Sequence, residues 1–223
     1  MTIKSDKKLV IKLKCDKKGT IYYSTNGKKP TVHSKKYTGS ITLASNKVLK
    51  YFAVSKDGYN FTAVNENKPI IIQTKGKKCC RDPFIFRDND GVFHIIATDM
   101  KSEEGWANNN SMVVWDSVDL VHWTNERIID FSNFEETKNA DRVWAPQVIF
   151  DKFKNEYMIY WTHNNADDDL DTIIWYAYTK DFHTFITPPQ VLFKPKSGMC
   201  AIDADIIEHN GKYYLYEADG EEE

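Results

Sequence analysis

Asp82-Pro83-Phe84-Ile85-Phe86, a turn at Asp88–Gly91, and Val92-Phe93-His94-Ile95-Ile96-Ala97 spell two short apolar runs joined by an Asp-Asn-Asp-Gly turn, the pattern of a β-hairpin. The pattern returns as Ala145-Pro146-Gln147-Val148-Ile149-Phe150, a turn at Asp151–Asn155, and Tyr157-Met158-Ile159-Tyr160-Trp161. It returns again as Asp203-Ala204-Asp205-Ile206-Ile207, a turn at His209–Gly211, and Tyr213-Tyr214-Leu215-Tyr216. The equivalent positions Pro83, Pro146 and Ala204 are spaced by 63 and 58 residues. A second hairpin repeats in phase with the first. Val113-Val114-Trp115-Asp116-Ser117-Val118-Asp119-Leu120-Val121-His122-Trp123 matches Ile174–Phe185, with Asp119 and Asp181 spaced by 62. Four strands per unit of about 60 residues is the period of a propeller blade, so residues 77–223 are read as about two and a half blades.

Outward to the amino terminus the texture changes. Residues 9–15, 20–24, 40–44, 48–54 and 69–73 are short apolar or alternating runs between Gly, Asn, Pro and Ser clusters, with no helical period, so residues 1–76 are read as a small β-sandwich. The charge changes at the same place. Met1–Cys80 carries 18 Lys and 4 acids, a net of +14, whereas Arg81–Glu223 carries 12 bases and 28 acids, a net of −16. A lysine-rich module can meet an anionic polymer, but solvated lysines around a small sandwich explain the excess equally simply. No run of about 18 apolar residues occurs and no secretory h-region can be placed at the amino terminus, so no membrane partner is expected. Cys15, Cys79, Cys80 and Cys200 lack metal-binding spacing and are read as free, buried thiols.

The sequence carries two resemblances. Gly19–Thr31, with its Asn26-Gly27 turn, and Tyr37-Thr38-Gly39-Ser40-Ile41-Thr42-Leu43 resemble the Ig-like domain at the carboxyl end of chitobiases. Arg81-Asp82-Pro83-Phe84-Ile85, His94–Asp99, Val113–Trp123 and Trp144-Ala145-Pro146-Gln147 resemble the "R-D-P-x-I", "Y-L-I-A-T-D", "V-V-W-x-S-x-D-L-x-x-W" and "W-A-P-E" stretches of glycoside hydrolase family 43, in order and spacing over residues 78–223. That resemblance implies an all-β chain: an N-terminal β-sandwich, then part of a five-bladed β-propeller. It also implies an inverting hydrolase of plant-type polysaccharides, similar to arabinofuranosidases and xylosidases, with a carbohydrate substrate; no cofactor and no nucleic-acid partner are expected, and no residue is assigned as a metal ligand.

By the same resemblance Asp82 is the general base. Asp203, at the equivalent strand start, is the carboxylate that adjusts the acid's pKa. Ala204 stands where the family has Pro, and Gln147 where it has Glu. The family's acid comes from a later blade, so the chain is read as a fragment lacking it, with Glu217 the one internal substitute considered. An exported enzyme is implied, although no signal segment opens the chain.

The chemistry suits these residue types. Inversion needs an ionised carboxylate beside a water on one face of the sugar and a protonated acid about 6.5–9.5 Å away on the other, and a further carboxylate raises the acid's pKa by repulsion. Arg81, Trp106, Trp144 and Gln147 are the expected substrate-binding residues. Trp161 is a further candidate for stacking on a sugar ring, and Trp115 and Trp123 are expected between sheets. Asp167–Asp171 lacks the alternation of a calcium loop and is read as a solvated loop. His94, His163 and His183 lack metal spacing and read as surface or edge residues, His163 alone being a candidate for the funnel.

Three other readings compete with this one. A non-catalytic carbohydrate-binding protein on a degenerate propeller is the alternative kept open. Fructan-acting hydrolases need an upstream "N-D-P-N-G" that is absent, and kelch or WD propellers need signatures that are absent.

Overall fold

Alternating apolar residues in the repeated hairpins dictate sheets buried on one or both faces, and the computed structural model has that architecture. It describes residues 9–11, 22–23, 35–36, 38, 41–43, 53–63, 68–166, 172–196 and 199–219. Contacts divide the chain into two units, Met1–Ile72 and Gln73–Glu223. No helix among the described residues is long and apolar enough to cross a membrane.

In the first unit β1 (Leu9–Ile11), β2 (Tyr22–Tyr23), β3 (Lys35–Lys36), β4 (Ile41–Leu43), β5 (Ala53–Ser55) and β6 (Phe61–Ala63) form three antiparallel pairs, β1 with β4, β2 with β3 and β5 with β6. The β5–β6 turn is organised by Asp57, which accepts the N–H groups of Tyr59 and Asn60 at 2.9 and 2.8 Å. The Asn26-Gly27 turn, Cys15 and the acidic stretch Asp167–Asp171 lie outside the described residues. The strand expected over 69–73 does not form. Gln73 instead donates to Asp99 at 2.6 Å, and the N–H groups just beyond it, of Thr74 and Lys75, go to the Glu126 carboxylate at 2.8 and 2.7 Å. Their backbone donors are thus spent on a side chain rather than on a strand neighbour.

The second unit contains two four-stranded antiparallel sheets and a hairpin. Sheet one is β7 (Cys80–Arg87), β8 (Phe93–Asp99), β9 (Ser111–Ser117) and β10 (Thr124–Asp130), each paired with the next. Sheet two repeats this with β11 (Ala140–Asp151), β12 (Glu156–Asn165), β13 (Ile173–Thr179) and β14 (Gln190–Phe193), and β15 (Ala201–His209) pairs with β16 (Lys212–Asp219).

The sheets stack face to face. Ile96, Met112, Val114 and Ile129 of sheet one pack with Val143, Val148, Ile159, Trp161 and Ala177 of sheet two. On the other face Tyr160 and Ile174 pack with Ala201 and Ala204 of β15. Because strand residues alternate sides, β12 sends Ile159 and Trp161 one way and Tyr160 the other, which buries sheet two on both faces. Trp161 is fully buried in this core, which corrects its reading as a sugar-stacking residue.

The second-hairpin repeat turns out to be a capping device. Ser117 Oγ accepts the N–H groups of Asp119 and Leu120, and Asp119 accepts those of Val121 and His122. Thr179 and Asp181 make the same bonds with Asp181, Phe182, His183 and Thr184. Leu120 and Phe182 both take positive φ, 65° and 54°, so the side-chain acceptors hold a turn that these residues rarely adopt.

His94 is 4% exposed, correcting its assignment to the surface. Its ring lies between Asp116 Oδ1 (2.8 Å from Nδ1) and Asp88 Oδ2 (3.0 Å from Nε2). Asp116 Oδ1 also takes Arg127 Nη1 at 2.8 Å. Arg127 in turn donates to the carbonyls of Phe182 and Asp181, tying sheet one to the turn after β13. His163 is also buried, against Trp161, Trp175 and Phe131. His183 is exposed, as expected.

Candidate active site

The first strands of the three repeats carry the same irregularity. Pairing slips between Arg81 and Phe84 in β7, between Trp144 and Gln147 in β11, and between Ile202 and Asp205 in β15. At each slip one residue turns to positive φ: Asp82 at 46°, Ala145 at 45° and Asp203 at 53°. A bulge re-aims the side chain that follows it and sharpens the local twist. A left-handed conformation costs a non-glycine residue roughly 1–2 kcal/mol, least for Asp and Asn. Such strain persists where the surroundings impose it, and clusters at functional sites.

The three bulges meet at one concavity of about 240 Å³, lined by Asp82, Pro83, Phe84, Ala145, Pro146, Gln147 and Asp203. Asp82, Asp203 and Gln147 are thus brought together. Gln147 is held by a chain of bonds, in which the Ile206 N–H donates to Tyr160 Oη at 3.1 Å and the Tyr160 hydroxyl donates to Gln147 Oε1 at 2.9 Å. With its Oε1 so engaged, Gln147 has its amide N–H groups left to donate, in a cavity that Asp82 and Asp203 also line.

Arg81, Trp106 and Trp144 form a separate stack beside the cavity rather than part of its lining. The Arg81 guanidinium lies 4.6 Å from the Trp106 ring centre, and the Trp106 and Trp144 rings meet edge to face at 6.2 Å. Arg81 Nε is 3.9 Å from Asp82 Oδ2. Glu217 lies exposed on β16 and outside the lining. Cys79, Cys80 and Cys200 are half-buried, which corrects their reading as buried thiols.

Burial raises the Asp203 carboxyl above the ordinary carboxylate range, and the nearby Asp82 charge raises it further, with Arg81 opposing. The cavity therefore holds two carboxylates whose charges interact. Such a pair can accept hydrogen bonds and exchange a proton with a bound group.

Thr98 and Thr162, which sequence reasoning did not single out, support the bulges. Thr98 Oγ1 accepts the Ala145 N–H at 2.8 Å, and Thr162 Oγ1 accepts the Asp203 N–H at 3.1 Å. Each sits opposite the residue before a bulge, Thr98 across from Arg81 and Thr162 across from Trp144. Aligning the second strands of the repeats, Ala97-Thr98-Asp99 with Trp161-Thr162-His163, would have found them.

The family model described as "Probable glycosyl hydrolase domain" matches residues 17–223. The chain is 27% identical over 182 residues to an α-L-arabinofuranosidase of Bifidobacterium longum subsp. longum, a match covering 72% of this chain and 17% of that protein. Among solved structures, a xylan β-1,4-xylosidase from Bacillus halodurans C-125 has a TM-score of 0.56 at 13% identity, covering 83% of this chain and 33% of that one. A thermostable family-43 glycoside hydrolase has a TM-score of 0.48 at 25% identity, covering 62% and 41%. The xylosidase likeness shows a shared fold. The chain spans about a sixth of the length of the curated relative it matches.

Proposed function

The chain belongs to the family 43-related glycosyl hydrolase domains, and on that premise we propose that it forms part of a glycoside hydrolase cleaving O-glycosidic bonds of plant-type pentose polysaccharides, in the manner of arabinofuranosidases and xylosidases, with inversion. The observation that carries this reading is the convergence of Asp82 and Asp203, from equivalent bulges of different repeats, on one cavity. In this reading residues 1–76 are an Ig-like sandwich and residues 77–223 about two and a half blades of a five-bladed propeller.

Asp82, beside Arg81, is the base that takes a proton from the attacking water. Asp203, whose charge acts on its neighbours through a partly desolvated cavity, orients the sugar and raises the proton affinity of the acid. The two carboxylates of the lining take these roles, so the proton donor for the leaving oxygen is a group outside it. Gln147 donates to a sugar oxygen, and the Trp106–Trp144 pair offers an apolar flank to the next ring.

The test is hydrolysis of dinitrophenyl α-L-arabinofuranoside and β-D-xyloside by the wild type and Asp82→Asn, with the first-formed anomer read by NMR. A general base contributes about 10²–10⁴-fold, so Asp82→Asn should lose that much and the wild type should release the inverted anomer. Equal, measurable rates for both proteins would refute the assignment of Asp82. Tight binding of uncleaved sugar by both would identify a carbohydrate-binding protein instead.

A further inference from the structure

Thr98 is fully buried in β8, so its hydroxyl cannot turn to bulk water. The Ala145 N–H, 2.8 Å away, donates to its Oγ1. A threonine hydroxyl has a single hydrogen to give, and the acceptor in reach is Asp82 Oδ2 at 3.4 Å. That distance is long for an O–H···O bond, but polar contacts in unliganded active sites are often long and tighten when substrate binds. The branched Cβ restricts Thr98 to few rotamers, and the Ala145 bond from the neighbouring sheet fixes the direction in which the remaining hydrogen points. Thr162 repeats the arrangement one sheet on, where it holds the Asp203 N–H. The position facing it on its own sheet's bulge is Ala145, which has no carboxylate to receive its hydrogen.

We propose that Thr98 is a positioning residue for the hydrolytic reaction, holding the Asp82 carboxylate in the orientation that accepts a proton and making that orientation depend on the packing of sheet two against sheet one. The role in hydrolysis rests on the function proposed above; the contact itself does not. Thr98→Val keeps the shape and removes both bonds, whereas Thr98→Ser keeps the hydroxyl.

Crystal structures of the full chain should show the Asp82 carboxylate rotated from its wild-type position in Thr98→Val and unmoved in Thr98→Ser. A carboxylate unmoved in Thr98→Val overturns the proposal. Should Thr98→Val fail to fold, the wild type still decides: the Thr98 hydroxyl proton should exchange slowly by NMR and should shift in Asp82→Asn, and the absence of any shift overturns the proposal. On dinitrophenyl pentosides Thr98→Val should lower kcat by about 10–100-fold with KM within about twofold, and Thr98→Ser should restore it. A purely structural threonine would leave kcat unchanged. If Asp82→Asn hydrolyses as fast as the wild type, the proposed function fails, while the structures and the hydroxyl resonance still decide whether Thr98 orients Asp82.

Discussion

Replacing His94 by Phe tests whether the buried carboxylate–imidazole–carboxylate array holds the second unit together. Both ring nitrogens face carboxylate oxygens, at 2.8 and 3.0 Å. Ionised carboxylates can only accept, so a ring nitrogen that bonds to one does so as the donor. Phe fits the surroundings, because Phe86 and Phe182 already lie with ring centres 5.0 and 4.4 Å from His94. The variant therefore removes the two bonds while retaining apolar packing. Asp116 keeps Arg127 and Asn125; Asp88 keeps the Val92 N–H and is left facing an aromatic ring.

Hydrogen bonds to charged groups contribute about 1.5–3 kcal/mol each, and stranding a buried charge costs about 3–5 kcal/mol. With partial compensation at both aspartates, the expected loss is about 3 kcal/mol. For a unit of this size that corresponds to a drop in Tm of about 6–12 °C. All six tryptophans lie at or beyond residue 106, so tryptophan fluorescence during urea or thermal unfolding follows the second unit alone. Burial by itself would raise the Asp88 and Asp116 carboxyls, but the His94 bonds, with Val92 at Asp88 and with Asn125 and Arg127 at Asp116, hold both below the ordinary range. Their contribution is thus present above the unfolded pKa of about 3.9 and is lost as pH falls through the folded values. The wild type and His94→Phe should converge in stability on acidification. A loss below about 1 kcal/mol at pH 7, or a gap that widens in acid, would refute the reasoning.

Three further outcomes are expected. Because the Asp203 carboxyl is raised by burial and by Asp82, its ionisation works against the folded state as pH rises from about 4 through the folded pKa; Asp203→Asn should gain stability over the wild type across that interval, and parallel pH–stability curves would contradict this. Glu126 gathers the N–H groups of Thr74 and Lys75 and the Thr74 hydroxyl, so Glu126→Ala should speed tryptic cleavage after Lys75, read by mass spectrometry, while an unchanged rate would show that other contacts hold the segment. Lys78 is exposed and has a φ of 56°, so Lys78→Gly should stabilise the second unit by about 0.5–1 kcal/mol in urea unfolding, and a loss would show that the turn is not strained.

The sheets of the second unit were legible because two hairpins recur in phase; chance rarely repeats both the strands and the spacing between them. The convergence of Asp82 and Asp203 was legible for the same reason, since equal registers in equal units must face a common cavity. Partners drawn from different strands were not legible. His94 looks like an ordinary polar position in an alternating strand, and only pairing with β9 places Asp116 opposite it. Trp161 reads as a stacking residue on aromatic chemistry alone, whereas alternation puts it on the same side as Ile159. Thr98 and Thr162 were overlooked because each acts on a bulge of the next sheet, a relation absent from any single repeat. The stretch 69–73 has the apolar pattern of a strand but no strand neighbour, and just beyond it Glu126 takes the N–H groups of Thr74 and Lys75.

Ala145 separates what the scaffold requires from what the chemistry requires. It carries the same left-handed bulge as Asp82 and Asp203 yet contributes only a methyl group. The backbone irregularity therefore belongs to the repeat itself and is kept even where it serves no reactive group. A duplicated unit of this kind inherits a ready-made socket at every copy, and a single nucleotide change from alanine to aspartate fills it. New reactive groups can in this way be added or discarded by point substitution, with the architecture left as it was, which makes such a scaffold easy for selection to redirect toward different substrates.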